Sequence, residues 1–312
     1  MRARADPVID VALVVVTFDS ASHLDPFLDS LRPALGRLRA RVVVVDNDSS
    51  DDTVARLRAD GRAEVVALPR NRGYAAAINA GLDRTRDAPA VLILNPDLTL
   101  GTGSVGALLA AAREPGVGIV VPRVRTPTGG TYPSLRREPT VGRALAAAVL
   151  GGGVAGRFPR LSETVSGARP YLERRDVEWA TGAALLVTRG CADRTGRWDE
   201  TFFLYSEETD YAERARRAGF RILYEPAAEV THEGGDCLTS PRLRTMLVVN
   251  RLRYFRRRHG RVRTAGFFAA VLGNELARAA LGNRAAWAAA RALVAPATRP
   301  PELACSDRLV PV

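Results

Sequence analysis

The sequence contains no lysine, so every one of its fixed positive charges is an arginine, and the formal net charge is +11 over 312 residues. A replacement that complete reads as codon bias, and the choice of Arg over Lys carries little chemistry. The sign of the balance carries more, because it favours anionic partners. Cysteine is scarce: Cys191, Cys237 and Cys305 lie far apart and match no zinc or redox spacing, which suits a reduced, cytosolic protein with incidental thiols. No stretch of about 18 or more uninterrupted apolar residues is found, so no spanning helix is expected. The apolar run near the N-terminus is too short and too β-branched for a signal peptide and lacks a cleavage site. A glycine-rich GxGxxG after the first strand is missing, which argues against a dinucleotide-binding dehydrogenase, and no GxxxxGK[ST] occurs, which removes a P-loop NTPase.

What is present has the period of an α/β protein. Hydrophobic residues make up 46% of the chain, enough for a large core. Val11 to Thr17 and Arg41 to Asp46 are continuous β-branched runs, the pattern of strands buried on both faces. Glu64 to Leu68, Ala90 to Leu94 and Val117 to Val121 read as further strands, with helices over Ser22 to Leu35 and Tyr74 to Arg86 between them. Strands and helices alternating at this spacing predict a parallel sheet with right-handed crossovers. Ligands then bind beyond the carboxyl ends of the strands. There the chain places Thr17 and Asp19, Asp46 and Asp48, Asn71, and Asn95 with Asp97. Acids and amides in that position suit sugar hydroxyls and a cation.

The strongest single stretch is Trp198 to Gly219. Glu207, Glu208 and Asp210 open an Arg/Ala-rich helix directly after the apolar run Phe202 to Tyr205, read here as a buried strand. Carboxylates at a helix N-terminus are held rigidly and favoured in ionised form, as a general base requires. Helix capping alone explains the same pattern. Thr126 to Arg175 reads as a mobile or partly helical excursion beside the site, and Glu178 to Thr188 and Arg221 to Tyr224 return to strand character. From Cys237 to Asn274 there is no acid but nine arginines, the basis for expecting a surface helix that meets anionic lipid. A solvated basic helix packed on the domain is the bland alternative. Ala265 to Ala295 is a second helical region, with Phe267, Phe268, Leu272 and Trp287 as candidate anchors in a membrane or dimer interface, and the tail from Pro296 is expected to fray.

Seven motifs in order carry a resemblance: VVVTFDS, VDNDSSDDT, NRGYAAAINAGL, LILNPDL, WATGAALLVTR, WDETFFLYSEETDYAERARRAGFRILY and VTHEGG. Together they cover most of Val11 to Gly235, and the chain resembles the inverting glycosyltransferases of family 2, looking most like their rhamnosyltransferase branch. The resemblance implies a GT-A fold: a Rossmann-like, mostly parallel sheet flanked by helices, with residues 1–235 as catalytic domain, 236–295 as basic helical extension and 296–312 as tail. By the same resemblance Thr17 and Asp19 would line the nucleotide pocket and Asp46 would contact the base or ribose. Asn71 and Gly73 would sit against the nucleotide, with Asn79 holding their loop. Gly182 and Ala183 would face the transferred sugar, and Trp179 would stack or pack beside it.

Asn95-Pro96-Asp97 occupies the place of the family's DxD motif, so Asp97, with His232, would hold Mg²⁺ or Mn²⁺. The family's base maps to Glu208, where Glu stands for Asp, so Asp210 is kept as rival base and Glu207 as acceptor contact. Asn95 for the first Asp of the motif lowers the charge at the cation. The implied partners are a nucleoside-diphosphate sugar, dTDP-rhamnose before a UDP-sugar, and a glycan or polyprenyl-linked acceptor, at the inner face of the plasma membrane. The other reading is a sugar-nucleotide-binding or scaffold protein that lost activity through the two departures, which donor-panel assays would separate. Nucleic-acid binding fits least, since the arginine block has few interleaved aromatics. Whether the chain forms a homo-oligomer is left open.

Overall fold

The computed structural model describes residues 9–234 and 240–303. Its centre is a nine-stranded sheet. β1 (Val11–Thr17) is buried along its whole length and lies parallel between β2 (Ala40–Asp46) and β4 (Ala90–Leu94), with β3 (Glu64–Ala67) parallel to β2 at the edge. The unbroken apolar run of β1 follows from having helices on both faces. Val11, Leu13 and Val15 pack towards α1 (Leu24–Leu35), α2 (Thr53–Asp60) and α4 (Ser104–Ala111). Ala12, Val14 and Val16 pack towards α3 (Tyr74–Asp83), and a Cβ on Gly81 of that helix would come within 2.4 Å of Val14 Cγ1.

The second half of the sheet is mixed. β10 (Ala184–Thr188) runs antiparallel to both β4 and β6 (Val117–Arg125), and forms the seam between the halves. Beyond it β11 (Arg221–His232) lies parallel to β6, and the short β5 (Leu98–Leu100) lies antiparallel to β11. β8 (Arg175–Asp176) also pairs with β11. Three sequence expectations change here. The strand expected over Arg221 to Tyr224 continues to His232, through register irregularities around Pro226 that obscure its periodicity. Glu178 to Thr188 is two strands, because β9 (Trp179–Ala180) leaves the main sheet to pair with β7 (Leu135–Arg136), and the chain bends at Gly182 before β10. Phe202 to Tyr205 is an irregular bend and not a strand. Its apolar side chains are drawn instead into two places, Phe202 into full burial and Phe203, Leu204 and Tyr205 against the C-terminal helices.

Those helices are α8 (Pro241–Arg256), α9 (Arg261–Ala280) and α10 (Arg284–Val294), so the region Ala265 to Ala295 is divided between two helices. They share a third hydrophobic cluster with α5 (Val141–Ala155), whose helix is broken at Gly151. Phe267 is core rather than an anchor, Phe268 and Leu272 pack against that core, and Trp287 alone of the four is exposed. The tail continues as two short 3-10 turns as far as Leu303, which is buried; Cys237 and Cys305 lie outside the described residues, and Cys191 is a buried free thiol. Among the described residues no helix is long and apolar enough to cross a membrane.

The arginine block does not form the lipid-facing surface that its composition suggests. Arg244 is buried in a bidentate pair with Glu275 at 2.6 and 2.8 Å. Arg253 is 1% exposed and donates to the Thr201 carbonyl, Arg257 pairs with Asp199 at 2.7 Å, Arg258 pairs with Asp210 and Glu213, and Arg251 with Glu163. Arg244, Arg251, Arg253 and Arg258 turn inwards because the groups that engage them lie elsewhere in the chain, in the stretch between Asp199 and Glu213 above all. Arg242, Arg257, Arg261 and Arg263 are exposed, the first two paired with Glu302 and Asp199.

Candidate active site

The site lies where the carboxyl ends of β1, β2 and β4 meet the segment between α6 (Arg189–Thr195) and α7 (Glu207–Arg217), at the turn just before α7. Two consecutive non-glycine residues there, Tyr205 and Ser206, are left-handed at φ 68° and 74°. Such a turn is costly and persists only where its surroundings over-determine it. Here α8 supplies the surroundings. Asn250, fully buried, donates to the Leu204 carbonyl at 2.8 Å, and Arg253 grips the Thr201 carbonyl just upstream. On the other side Gly73, at φ 87°, presses its bare Cα on Phe203: a Cβ would fall 2.4 Å from the Phe203 carbonyl oxygen. The next amide, Tyr74 N–H, donates to that same oxygen at 2.7 Å.

The turn delivers Glu207 and Glu208 into a buried space where the Oε2 atom of each has no hydrogen-bond partner. Burial, and then the neighbouring Glu208, push the Glu207 carboxyl well above its ordinary range. Burial pushes Glu208 up to about 7, against the helix N-terminal amides and the Arg136 guanidinium, which pull it down. Glu208 is thus the member of the pair that ionises near neutrality. Gly182 faces it: a Cβ at that position would lie 3.6 Å from Glu208 Cβ, so the lack of a side chain leaves the approach to the carboxyl open.

Asp97 has the opposite environment. His232 stands opposite Leu98 in the β11–β5 pairing and sets its Nε2 3.0 Å from Asp97 Oδ2. Burial would raise the Asp97 carboxyl, but the bond and charge of His232 outweigh it and hold the group below its ordinary range. Asp97 Oδ1 is buried with no partner. Glu233 N–H donates to the Asp97 carbonyl at 3.2 Å, and its carboxylate meets His23 at 3.2 Å. These donors fit a hard divalent cation. Two neighbouring ligands of an octahedral ion at about 2.1 Å lie about 3 Å apart, which is the spacing of His232 Nε2 and Asp97 Oδ2. Among the described residues no group of three or more His, Cys, Asp or Glu side chains could enclose a metal. Such an ion would take its other ligands from water and phosphate, as Mg²⁺ and Mn²⁺ commonly do.

The two carboxylate sites are joined by Tyr74, a residue with no sequence signal of its own. Its hydroxyl donates to Asn95 Oδ1 at 2.8 Å and lies 3.3 Å from the Gly182 carbonyl oxygen. Burial, then the charges of Glu207, Glu208 and Asp97, raise its hydroxyl well above the ordinary value, so all three acids bear on one phenol. Asn95 N–H donates to the Ala183 carbonyl at 3.0 Å, which ties the DxD-like turn to the start of β10. Arg136, also unforeseen, stands on β7 opposite Trp179 of β9. Tyr74 stands within the motif NRGYAAAINAGL without being singled out by it, and Arg136 lies in none of the motifs.

Other candidates fall into supporting places. Asp46 is 1% exposed and accepts from Thr17 Oγ1 at 2.9 Å and from the Ser49 amide at 2.9 Å, so the pair braces the strand ends. Asp19, at the exposed rim, accepts from the Ser50 amide at 2.7 Å. Asn71 Oδ1 accepts from Asn47 Nδ2 at 2.9 Å and from Gly73 N–H at 3.0 Å, fixing the turn into α3. Asn79 makes no direct bond to that loop: it is buried against the stretch before α7, bonded to both backbone atoms of Trp198 and to Glu200 at 2.9 to 3.0 Å, and the other oxygen of Glu200 pairs with Arg72 of the loop at 2.8 Å. The Trp179 indole donates to the Arg137 carbonyl at 3.0 Å, which makes it a packing residue of the β7–β9 ribbon. Asp210 is a poor rival base: one oxygen pairs with Arg214 at 2.7 Å and the other with Arg258, so neither is left free to take a proton.

Comparison with known proteins agrees with this geometry. The family model described as "Glycosyl transferase family 2" matches residues 12–162. An N-acetylglucosaminyl-diphospho-decaprenol L-rhamnosyltransferase of Mycobacterium tuberculosis is 35% identical over 232 residues, 70% of this chain and 75% of that protein. Among solved structures, the mannosyltransferase PcManGT from Pyrobaculum calidifontis, in complex with GDP-Man and Mn²⁺, superposes with a TM-score of 0.54 at 17% identity, over 95% of this chain and 84% of that one. GalNAc-T7 with UDP, GalNAc and Mn²⁺ gives 0.57 at 14% identity, over 80% of this chain but only 48% of that longer one. These likenesses establish the GT-A fold. With the mycobacterial enzyme sharing sequence over more than two thirds of its length, the chain belongs to glycosyl transferase family 2 and is a glycosyltransferase.

Proposed function

We propose that the enzyme inverts the anomeric centre as it moves a sugar, rhamnose from dTDP-rhamnose in first place, onto a hydroxyl of a polyprenyl-diphosphate-linked glycan. The observation that carries the reading is the Tyr74 hydroxyl, which bonds to Asn95, two residues before Asp97, and to the carbonyl of Gly182, the residue that lies against Glu208, and so joins two acids that are far apart in the chain. The choice of sugar and acceptor rests on the mycobacterial relative, which is named as an L-rhamnosyltransferase acting on an N-acetylglucosaminyl-diphospho-decaprenol.

In this reading the acceptor hydroxyl enters past Gly182 and gives its proton to Glu208 as its oxygen bonds to the anomeric carbon. The bond from that carbon to the diphosphate oxygen breaks in the same displacement, through an oxocarbenium-like transition state. Glu207, the harder of the two to ionise, keeps its proton and orients the acceptor. Asp97 and His232 would hold a divalent cation, which when bound offsets the charge gathering on the departing nucleoside diphosphate. Tyr74 stays neutral and locks Asn95 beside the site. Arg136 contributes a fixed positive charge that favours the ionised form of Glu208.

The test is a donor panel (dTDP-rhamnose, UDP-galactose, UDP-N-acetylglucosamine, GDP-mannose) against a short-chain polyprenyl-diphosphate N-acetylglucosamine, with Mn²⁺ or Mg²⁺. Transfer from dTDP-rhamnose with inverted product is expected. Turnover confined to another donor would overturn the sugar, and turnover only on lipid-free acceptors would overturn the acceptor.

A further inference from the structure

The excursion between β7 and β8 stands on a closed neck. Arg137 N–H donates to the Glu163 carbonyl at 2.7 Å, and Arg136 bridges Thr164 as an isolated antiparallel pair. The neck adjoins β9, which ends two residues before Gly182, so the excursion is rooted beside the segment that leads to Gly182 and Glu208. Its composition is one-sided. From Pro139 to Ser162 there is no Asp or Glu, and the basic residues are Arg143, Arg157 and Arg160. Arg143 is used internally, on the Glu138 carbonyl. Arg157 and Arg160 are exposed, and neither pairs with a carboxylate among the described residues.

Its apolar residues are turned outwards. Val149 is 79% exposed and Phe158 52%, and Leu145, Leu150, Val154 and Leu161 are exposed with them on both sides of the break at Gly151. In a soluble monomer large apolar side chains gathered in one short segment mark a contact surface. Apolar residues interspersed with unpaired arginines, and no acids, fit the boundary of an anionic bilayer, where the side chains enter the acyl region and the guanidinium groups meet the headgroups. An apolar protein partner would leave the two arginines without a counter-charge.

We propose that this excursion, and not the arginine-rich α8, docks the enzyme on an anionic phospholipid bilayer and brings the neck, with Glu208 behind it, to the membrane plane. The proposal takes its purpose from the lipid-linked acceptor reading, but its test needs no acceptor. The full chain is sedimented with vesicles of phosphatidylcholine containing phosphatidylglycerol, and with phosphatidylcholine alone. Binding to the anionic vesicles is expected. The double variant Val149→Asp and Phe158→Asp should weaken it at least about tenfold, with an unchanged melting temperature and unchanged turnover on a water-soluble acceptor analogue. Arg157→Ala and Arg160→Ala should each weaken it about fivefold, the worth of one arginine near an anionic surface. Wild-type protein that stays in the supernatant, or a double variant that binds undiminished, would overturn the proposal. So would a dimer in solution that the double variant converts to monomer, since the face would then cover a second copy. Vesicle binding together with transfer only to lipid-free acceptors would leave the docking surface standing and remove the acceptor reading instead.

Discussion

Asp97 and Glu208 are both carboxylates largely withdrawn from water, joined through Asn95, Tyr74 and Gly182, yet the fold treats them in opposite ways. Asp97 is given an imidazole and is held charged. Glu208 is given a second carboxyl and an open glycine face, and is held at the edge of ionisation. The difference teaches that burial alone does not set the role of an acid. A permanently charged group suits a cation and a diphosphate, whereas a group balanced near neutrality can accept a proton during a reaction.

The largest test of this contrast is Glu208→Gln, which keeps the shape and removes the basic oxygen. Turnover is expected to fall by about 10² to 10⁴-fold, the usual worth of a general base, while donor affinity in calorimetry stays near that of the wild type. Asp210→Asn should do the reverse, lowering the melting temperature through its broken arginine pairs; an equal collapse of turnover there would erase the distinction drawn between the two acids. Next in size is Asp97→Asn. Nucleoside-diphosphate affinity in the presence of Mn²⁺ should drop at least about tenfold, as for a lost ligand or its immediate support, with the metal-free affinity unaltered. Removal of metal by chelation should mimic the variant on wild-type protein and add nothing to it.

The pH dependence should separate the two sites by sign. Glu208 lies at about 7 in the folded chain against an ordinary 4.5. The folded state therefore holds the extra proton, and this group's contribution to stability declines as pH rises from about 4.5 to about 7, while kcat/KM climbs along the same limb. Asp97, depressed, contributes stability above the ordinary aspartate range and loses it as pH falls through its lowered value. A kcat/KM profile flat between pH 5 and 8 would contradict the assignment of Glu208. The smallest effect is expected from Tyr74→Phe, which removes one hydrogen bond to Asn95, about 1 kcal/mol. If chemical denaturation gives a much larger loss, the phenol does more than join the two sites.

How far this was legible from the sequence follows from what kind of signal each part leaves. β1, β2 and β4 were plain because strands buried on both faces need unbroken apolar runs. Asp97, His232 and Glu208 stand in motifs, and in the structure Asp97 meets His232 while Glu208 stands against Gly182. What escaped is what depends on partners remote in the chain. Tyr74 opens an alanine-rich helix and looks like a staple until its hydroxyl is seen beside Asn95. Asp210 looks as good a base as Glu208 until Arg258, forty-eight residues later, closes on it. The arginines of α8 looked like a surface because composition records charge and not direction. The apolar residues of the excursion give no sign of facing outwards for the same reason.

The neck beneath that excursion has one more consequence. Residues 137 and 163 are fastened to each other at 2.7 Å, and the first part of what they enclose is tied down as well, since Glu138 pairs with Arg216 of α7 and accepts from Tyr254, and Ala144 lies in the core shared with α8 to α10. Among the described residues, the exposed side chains beyond Ala144 have no such tie. Changes confined to them would alter the surface that the protein meets while those anchors, and the chemistry below, are inherited unaltered.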